Sequence, residues 1–338
     1  MKLLSWNCRG VGNPRSVRAL RTWCWRERSE LVFLMETMVD SKQLERVRGR
    51  CGFTEGSCLG SEGNSGGMGL WWRDINVHIF SYSRHHIAAE VRDDNNNPVW
   101  VAVGVYGWPE TENKHRTWDM MRTIQDECEV PTVFFGDFNE IVSMSEKEGG
   151  AMRRESLMDA FKEAIDDCGL HDLGFKGRTF TWQRGTEPGS VIRERLDRFL
   201  VSEEWHNLFP RSMVRHFPIY KSDHAPILLN TEAINFQNKE KRRFHFEALW
   251  LASEECRGVV ESSWNGGGGS SLPVIIARCA EDLSKWAKGN FRAVKKRIKE
   301  AEKELSEWQK CVPDATMIEK CNNLCAELDD LHRKEETY

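Results

Sequence analysis

The chain lacks the marks of several protein classes. No apolar run reaches the roughly 18 residues that a membrane span requires. No charged segment precedes an apolar one at the start, where Lys2-Leu3-Leu4-Ser5-Trp6 already reads as a strand, so a signal peptide is not expected. The eleven cysteines contain no Cys-x-x-Cys pair, are odd in number and irregularly spaced, as in an intracellular protein with reduced thiols rather than a disulfide framework. Cys321 and Cys325 would share a helix face, but without the further ligands that zinc needs. Charge of one sign is also lacking: 48 Lys and Arg against 52 Asp and Glu leave a net charge of -4. No global field attracts nucleic acid, and any such contact must rest on a local basic patch.

The chain does have core-forming material. Its 338 residues are 40% hydrophobic, which supports a sizeable core and leaves room for two domains, or one large α/β domain with an appendage. Up to about residue 230, strand-like runs alternate with helical stretches. Val32 to Met35, Val99 to Tyr106, Thr132 to Phe135, Thr179 to Trp182 and Ile227 to Leu229 read as strands, and Gly69 to Trp72 with Val77 to Phe80 as a strand pair. Ser16 to Arg28, Lys114 to Glu127 and Ser156 to Cys168 read as helices. Several strands with intervening helices favour two packed sheets with helices outside.

Beyond that point the character changes. Lys239 to Arg243 is a charge run, and Gly266 to Ser271 a flexible link. Ala287, Phe291, Val294, Ile298, Ala301, Leu305 and Trp308 then recur at helical spacing, as do Met317, Cys321, Leu324, Leu328 and Leu331 after Pro313-Asp314. This pattern predicts an antiparallel helical hairpin. Its apolar stripe either packs internally or on the first domain, or serves a protein partner or self-association. The expected division is a catalytic domain over 1–232 and a charged linker with a helical hairpin over 233–338, with the first part folding and acting without the second.

Five segments carry the chemistry: Ser5-Trp6-Asn7-Cys8-Arg9-Gly10, Leu34-Met35-Glu36-Thr37, Gly136-Asp137-Phe138-Asn139, Arg195-Leu196-Asp197-Arg198-Phe199 and Ser222-Asp223-His224-Ala225-Pro226. Each ends or follows an apolar run, and together they supply oxygen ligands for a hard divalent cation, phosphate donors and a base for water. Glu36 is a plausible metal ligand, with Asn7 to orient a ligand, a phosphate or a water. Asp137 suits the activation of water and Asn139 donation to a phosphate oxygen; two apart on extended backbone, they would point the same way. Gly136 would bring the backbone close to a ligand. Neighbouring side chains diverge on extended backbone, so Asp223 is not expected to orient His224; Asp197 is the candidate, and such a pair would hold the imidazole cationic. Tyr106, at a strand end, is placed to reach a phosphate. Any one segment alone would also suit an ordinary turn.

These segments, with Tyr106-Gly107-Trp108-Pro109, resemble the endonuclease/exonuclease/phosphatase (DNase I-like) superfamily, and most of all the endonuclease domains of plant non-LTR retrotransposons. The resemblance covers residues 1 to about 230, with a weaker likeness at Trp286-Ala287-Lys288-Gly289-Asn290-Phe291. It implies a four-layer α/β-sandwich whose site lies at one edge of two sheets. It also implies roles: Glu36 and Asn7 at the metal, Mg²⁺ or Mn²⁺; Asp137 on the water; Asn139, His224 and Tyr106 at the phosphate; Asp197 behind His224; and Asp223 as a metal-linked or proton-transferring carboxylate. Some apurinic-type members have an acid where Arg9 stands, which leaves the number of metals open. No polymerase signature follows, so the expectation is a retrotransposon-type protein without the reverse transcriptase.

The expected function is therefore a Mg²⁺-dependent DNA endonuclease acting in the nucleus. The alternatives are a phosphatase for phosphoinositides or other small phosphoesters, and a catalytically idle binding protein. The DNA-facing rim is expected among Arg153, Arg154, Arg178, Arg184, Arg193 and Arg195, with Arg184, Arg193 and Trp182 as the contacts.

Overall fold

The computed structural model describes residues 1–61, 66–232, 254–265 and 271–337. The charge run at 239–243 and the glycines at 266–269 lie outside them, as do the side chains of Ala287 and Phe291. The chain forms two compact units. One is Met1–Ile234 together with Ser306–Ile318; the other is Asn235–Leu305 together with Glu319–Tyr338.

The first unit is built on fifteen strands: β1 (Lys2–Asn7), β2 (Leu31–Met35), β3 (Glu55–Leu59), β4 (Met68–Trp72), β5 (Asn76–Tyr82), β6 (His86–Arg92), β7 (Pro98–Tyr106), β8 (Thr132–Asp137), β9 (Lys147–Glu148), β10 (Leu170–Asp172), β11 (Trp182–Arg184), β12 (Ile192–Glu194), β13 (Asp197–Ser202), β14 (Met213–His216) and β15 (Ile227–Asn230). They make two six-stranded sheets, in the orders β14-β15-β1-β2-β4-β3 and β10-β13-β8-β7-β6-β5, and a small sheet β11-β12-β9. The sequence strand at Thr179 to Trp182 is thus shifted: only Trp182 is in β11, because Thr181 spends its N–H on Glu194 and its carbonyl on Ala225.

Period-two alternation assembles the layers. Phe33 and Met35 of β2, Val133 and Phe135 of β8 and Phe199 and Val201 of β13 meet in one buried cluster between the two sheets. The alternate residues Phe134 and Leu200 turn the other way, onto Trp118, Met121 and Phe161. Those three belong to α3 (Lys114–Asp126) and α4 (Glu155–Asp167). On the other face, Trp6 meets Trp23 of α1 (Pro14–Glu27) edge-on at 5.2 Å. Helix, sheet, sheet and helix make the four layers of a DNase I-like α/β-sandwich.

Two expectations fail for local reasons. The runs at Gly69 to Trp72 and Val77 to Phe80 do not pair; β4 and β5 lie in different sheets, joined through Asp74 at φ +58°. Gly136 does not form a tight turn. It lies inside β8 at φ +130°, where a Cβ would stand 2.1 Å from the Val105 carbonyl oxygen, so glycine is needed for the sheet itself.

The second unit is helical. Its main elements are α6 (Glu254–Asn265) and most of α7 (Leu272–Trp308) and α8 (Ala315–Thr337). The intervening helices α2 (Ser41–Arg50) and α5 (Glu203–Leu208) belong to the first unit. Arg297 holds Glu327 with two bonds of 2.6 and 2.9 Å, which sets α7 and α8 antiparallel. Ile298, Ala301, Leu305, Leu324, Leu328 and Leu331 are buried, so this part of the apolar stripe is covered within the protein. Among the described residues no helix is long and apolar enough to cross a membrane.

Candidate active site

Strand register brings the predicted residues to one edge. Tyr106, Asp137 and Asp197 stand opposite one another in a row across β7, β8 and β13. In the facing sheet Asn7 ends β1 beside Met35, so that Glu36 follows at the neighbouring strand end. Departures from ordinary backbone gather there: Arg9, Glu36, Asn139 and Lys221 all have positive φ. Such backbone is uncommon outside glycine and concentrates where side chains must be aimed.

His224 is the centre of the cluster. Its Nδ1 lies 2.9 Å from Asp197 Oδ2, and its Nε2 lies 3.6 Å from Asp137 Oδ2. The sequence argument that an acid distant in the chain must orient this histidine matches the geometry. Asn7 ties the cluster to the other sheet, donating through Nδ2 to Asp137 Oδ2 at 3.0 Å and Glu36 Oε1 at 2.8 Å. The Tyr106 hydroxyl donates to the same Glu36 oxygen at 3.0 Å.

Burial and charge set the protonation states. Burial alone would depress the His224 pKa, but Asp197 and Asp137 outweigh it and push it up to about 10. Burial raises Asp137 to about 7, against the opposing effect of His224 and with Asp197 adding to the rise. Tyr106 is pushed up by burial and by Glu36, so it remains a donor. The site therefore holds an imidazolium beside a carboxylate that is unusually basic for its type.

The ligand atoms of Asp137, Asp197 and His224 lie within 4.8 Å of one another. Asn7 Oδ1 and Asp197 Oδ1 are buried without a hydrogen-bond partner. Buried polar atoms are normally satisfied; here one belongs to the amide that bonds Glu36 and the other to the carboxylate that bonds His224. An oxygen set with unused lone pairs fits a hard divalent cation.

Other predicted residues stand elsewhere. Asn139 does not continue the strand. At φ +56° its N–H turns back to Asp137 Oδ1 at 2.9 Å and its amide donates to Gly107 O at 2.8 Å. The two side chains therefore do not point the same way, since the extended geometry ends at Asp137. Lys114 fixes this turn, donating to the Asn139 carbonyl and pairing with buried Glu140 at 3.0 Å. Asp223 points away from His224, to an ion pair with Arg9 and to Trp182 Nε1 at 3.1 Å.

The arginine rim is mostly interior. Arg193 is 1% exposed, because β12 lies beneath the tail turn, and its guanidinium donates to the Cys311 carbonyl at 2.8 Å. It cannot meet DNA. Arg178 and Arg195 are also buried, and Arg153 pairs with Glu140 and Glu194, leaving Arg154 and Arg184 exposed. Trp182 is half-buried, its ring 6.5 Å from that of His224.

Sequence reasoning missed several supports. Thr181 Oγ1 accepts from the N–H groups of Leu196 and Asp197, both at 3.0 Å, and Ser222 Oγ donates to the Asn7 carbonyl at 2.8 Å. Ser222 adjoins the recognised Asp-His pair, and that adjacency was the available signal. Thr181 gave none.

No protein of curated function matches this sequence significantly. Several solved structures match in fold. The endonuclease domain of TRAS1, a telomere-specific non-LTR retrotransposon, is 14% identical, with a TM-score of 0.50 over 70% of this chain and 99% of that one. The 3′ phosphatase NExo from Neisseria, bound to a product DNA hairpin, is 17% identical, with a TM-score of 0.53 over 69% of this chain and 99% of that one. An AP endonuclease from Archaeoglobus fulgidus is 16% identical, with a TM-score of 0.52 over 68% of this chain and 98% of that one. Residues 4–224 match the endonuclease/exonuclease/phosphatase family model, an interval that contains every residue of the cluster around His224. The chain belongs to the endonuclease/exonuclease/phosphatase family, and family and fold support a phosphoester hydrolase.

Proposed function

We propose that the protein is a Mg²⁺-dependent endonuclease that nicks duplex DNA. The observation that carries this reading is the convergence of Asn7, Glu36, Asp137, Asp197 and His224 in one bonded cluster that leaves Asn7 Oδ1 and Asp197 Oδ1 unpartnered. Glu36 and Asn7 Oδ1 are the better candidates to hold the cation, because an imidazolium between two carboxylates has no lone pair to give. Bound there, a divalent cation supplies Lewis-acid polarisation of the phosphoryl group. Asp137 takes the proton of the attacking water, a task suited to a carboxyl raised to about 7. His224 holds its proton at Nε2 and neutralises charge developing on the phosphate, while Asp197 fixes the ring through Nδ1. Tyr106 keeps Glu36 in position through its hydroxyl.

DNA as substrate is supported by the fold shared with a retrotransposon endonuclease domain and a DNA-bound phosphatase, by half-buried Trp182 near His224, and by exposed Arg184 on the same strand. The plant-type wording of the segments supports a retrotransposon-type origin, and action in the nucleus is proposed with it. The test is nicking of supercoiled plasmid with Mg²⁺ or EDTA, beside release of phosphate from phosphoinositides. Nicking only with the cation supports the reading. Phosphate release without nicking would replace DNA with a small phosphoester.

A further inference from the structure

The turn after the long C-terminal helix reaches the segment that presents His224. Gln309 is 6% exposed. Its Oε1 accepts from the Ile219 N–H at 2.9 Å and its Nε2 donates to the Ile219 carbonyl at 2.9 Å. Ile219 lies outside any strand, five positions before His224, and the amide of Gln309 supplies the two bonds that a neighbouring strand would. The same Oε1 accepts from Nη1 of Arg178, which is buried. The Arg178 carbonyl is bonded to His216 Nδ1 at 2.8 Å, three residues before Ile219. One side chain thus joins the segment leading into Ser222-Asp223-His224 to the segment leading into Thr181 and Trp182. Thr181 fixes the Asp197 backbone, and Trp182 fixes Asp223. Two residues on, the Cys311 carbonyl holds Arg193 of β12, the strand paired with β11.

We infer that Gln309 is a positioning residue of the active site, clamping the loop at 217–224 so that His224 meets Asp197 and Asp137 in working register. The tail turn at 306–318 is then part of the catalytic unit. The kinetic part of this inference rests on the proposed DNA cleavage; the structural part does not.

The test uses the full chain with Gln309→Leu, which removes the two bonds to Ile219 and the one from Arg178 at similar volume, and Gln309→Glu, which keeps the acceptor and loses the donor. Amide hydrogen exchange is followed peptide by peptide, and cleavage of supercoiled plasmid in Mg²⁺ gives kcat and KM. Gln309→Leu should speed exchange across 217–224 while β8 and β13 stay protected. Its kcat should fall about tenfold or more, the scale of a small misplacement of a catalytic group, with KM within about twofold. Gln309→Glu should lie between the leucine variant and wild type. Unchanged exchange at 217–224 would overturn the inference, as would a uniform rise over the whole protein at unaltered kcat. Should Gln309→Leu not fold, Gln309→Glu decides by the same readings. Should the wild-type protein not cleave DNA, that defeats the proposed function alone, and the exchange pattern still decides the clamp.

Discussion

His224 stands between two carboxylates, 2.9 Å from one and 3.6 Å from the other, and this arrangement assigns different work to each. Asp197 holds the ring through Nδ1 and so orients it; Asp137 accepts from the Asn7 amide and the Asn139 N–H and faces Nε2, which assigns it the role of base. His224→Ala and Asp137→Asn should each lower kcat by about 100-fold or more, the usual scale for losing a charge-stabilising or proton-accepting group. Circular dichroism should show both variants folded, and near-wild-type nicking by either would remove that residue from the assigned role. The Asp197–His224 pair was readable in sequence because adjacent side chains on extended backbone diverge, which ruled out Asp223. The destination of Asp223 was not readable: its partner Arg9 lies 214 positions away in the chain. The direction of the Asn139 side chain was not readable, because the strand pattern before it did not show that extended backbone ends at Asp137 and turns to positive φ.

At the scale of elements, the strands with clean alternation were legible and the short ones were not. β7 and β8 carry long apolar runs, whereas β9, β11 and β12 are two or three residues each and exist through their neighbours. The tail turn Ser306–Ile318 groups with the first unit, which composition did not signal. A shift to charged helix near residue 239 suggested that residues 1–232 would fold alone, yet Gln309 and Cys311 bond two arginines that are each 1% exposed. Losing a hydrogen bond to a charged group costs about 1.5–3 kcal/mol. A chain ending after Ile234 should therefore lose several kcal/mol of stability or become insoluble, read by urea unfolding beside the full chain. Equal midpoints would show that the turn merely rests on the surface.

Over the whole molecule, a net charge of -4 means that DNA must be held locally. Arg184 is the exposed survivor of the expected contact pair, so Arg184→Ala should weaken DNA binding and reduce the slope of log affinity against log salt by about one contact. An unchanged slope would make Arg184 a solvated strand end. Stability should also depend on pH through His216, whose pKa burial pushes down to about 3 although Nδ1 is bonded to the Arg178 carbonyl. The unfolded chain takes up this proton near pH 6.5 and the folded protein does not, so the contribution is full above that value and is lost as pH falls toward 3. His86, lowered to about 4 by burial, acts in the same direction, and Asp137, raised to about 7, in the opposite one. Comparison with His216→Gln isolates one proton: between pH 6 and 4 its stability should fall less steeply by about 1.4 kcal/mol per pH unit. Parallel curves would mean that His216 is protonated in the folded state.

The claim on which the rest depends is that the oxygen set around Asn7, Glu36 and Asp137 binds a cation and cleaves phosphodiesters. Conversion of supercoiled plasmid to the open circle by the full chain, with Mg²⁺ and with EDTA, tests it directly. The account predicts nicking with Mg²⁺, none in EDTA, and loss of nicking in His224→Ala. Full nicking in EDTA, or none by folded wild-type protein in Mg²⁺, would contradict it.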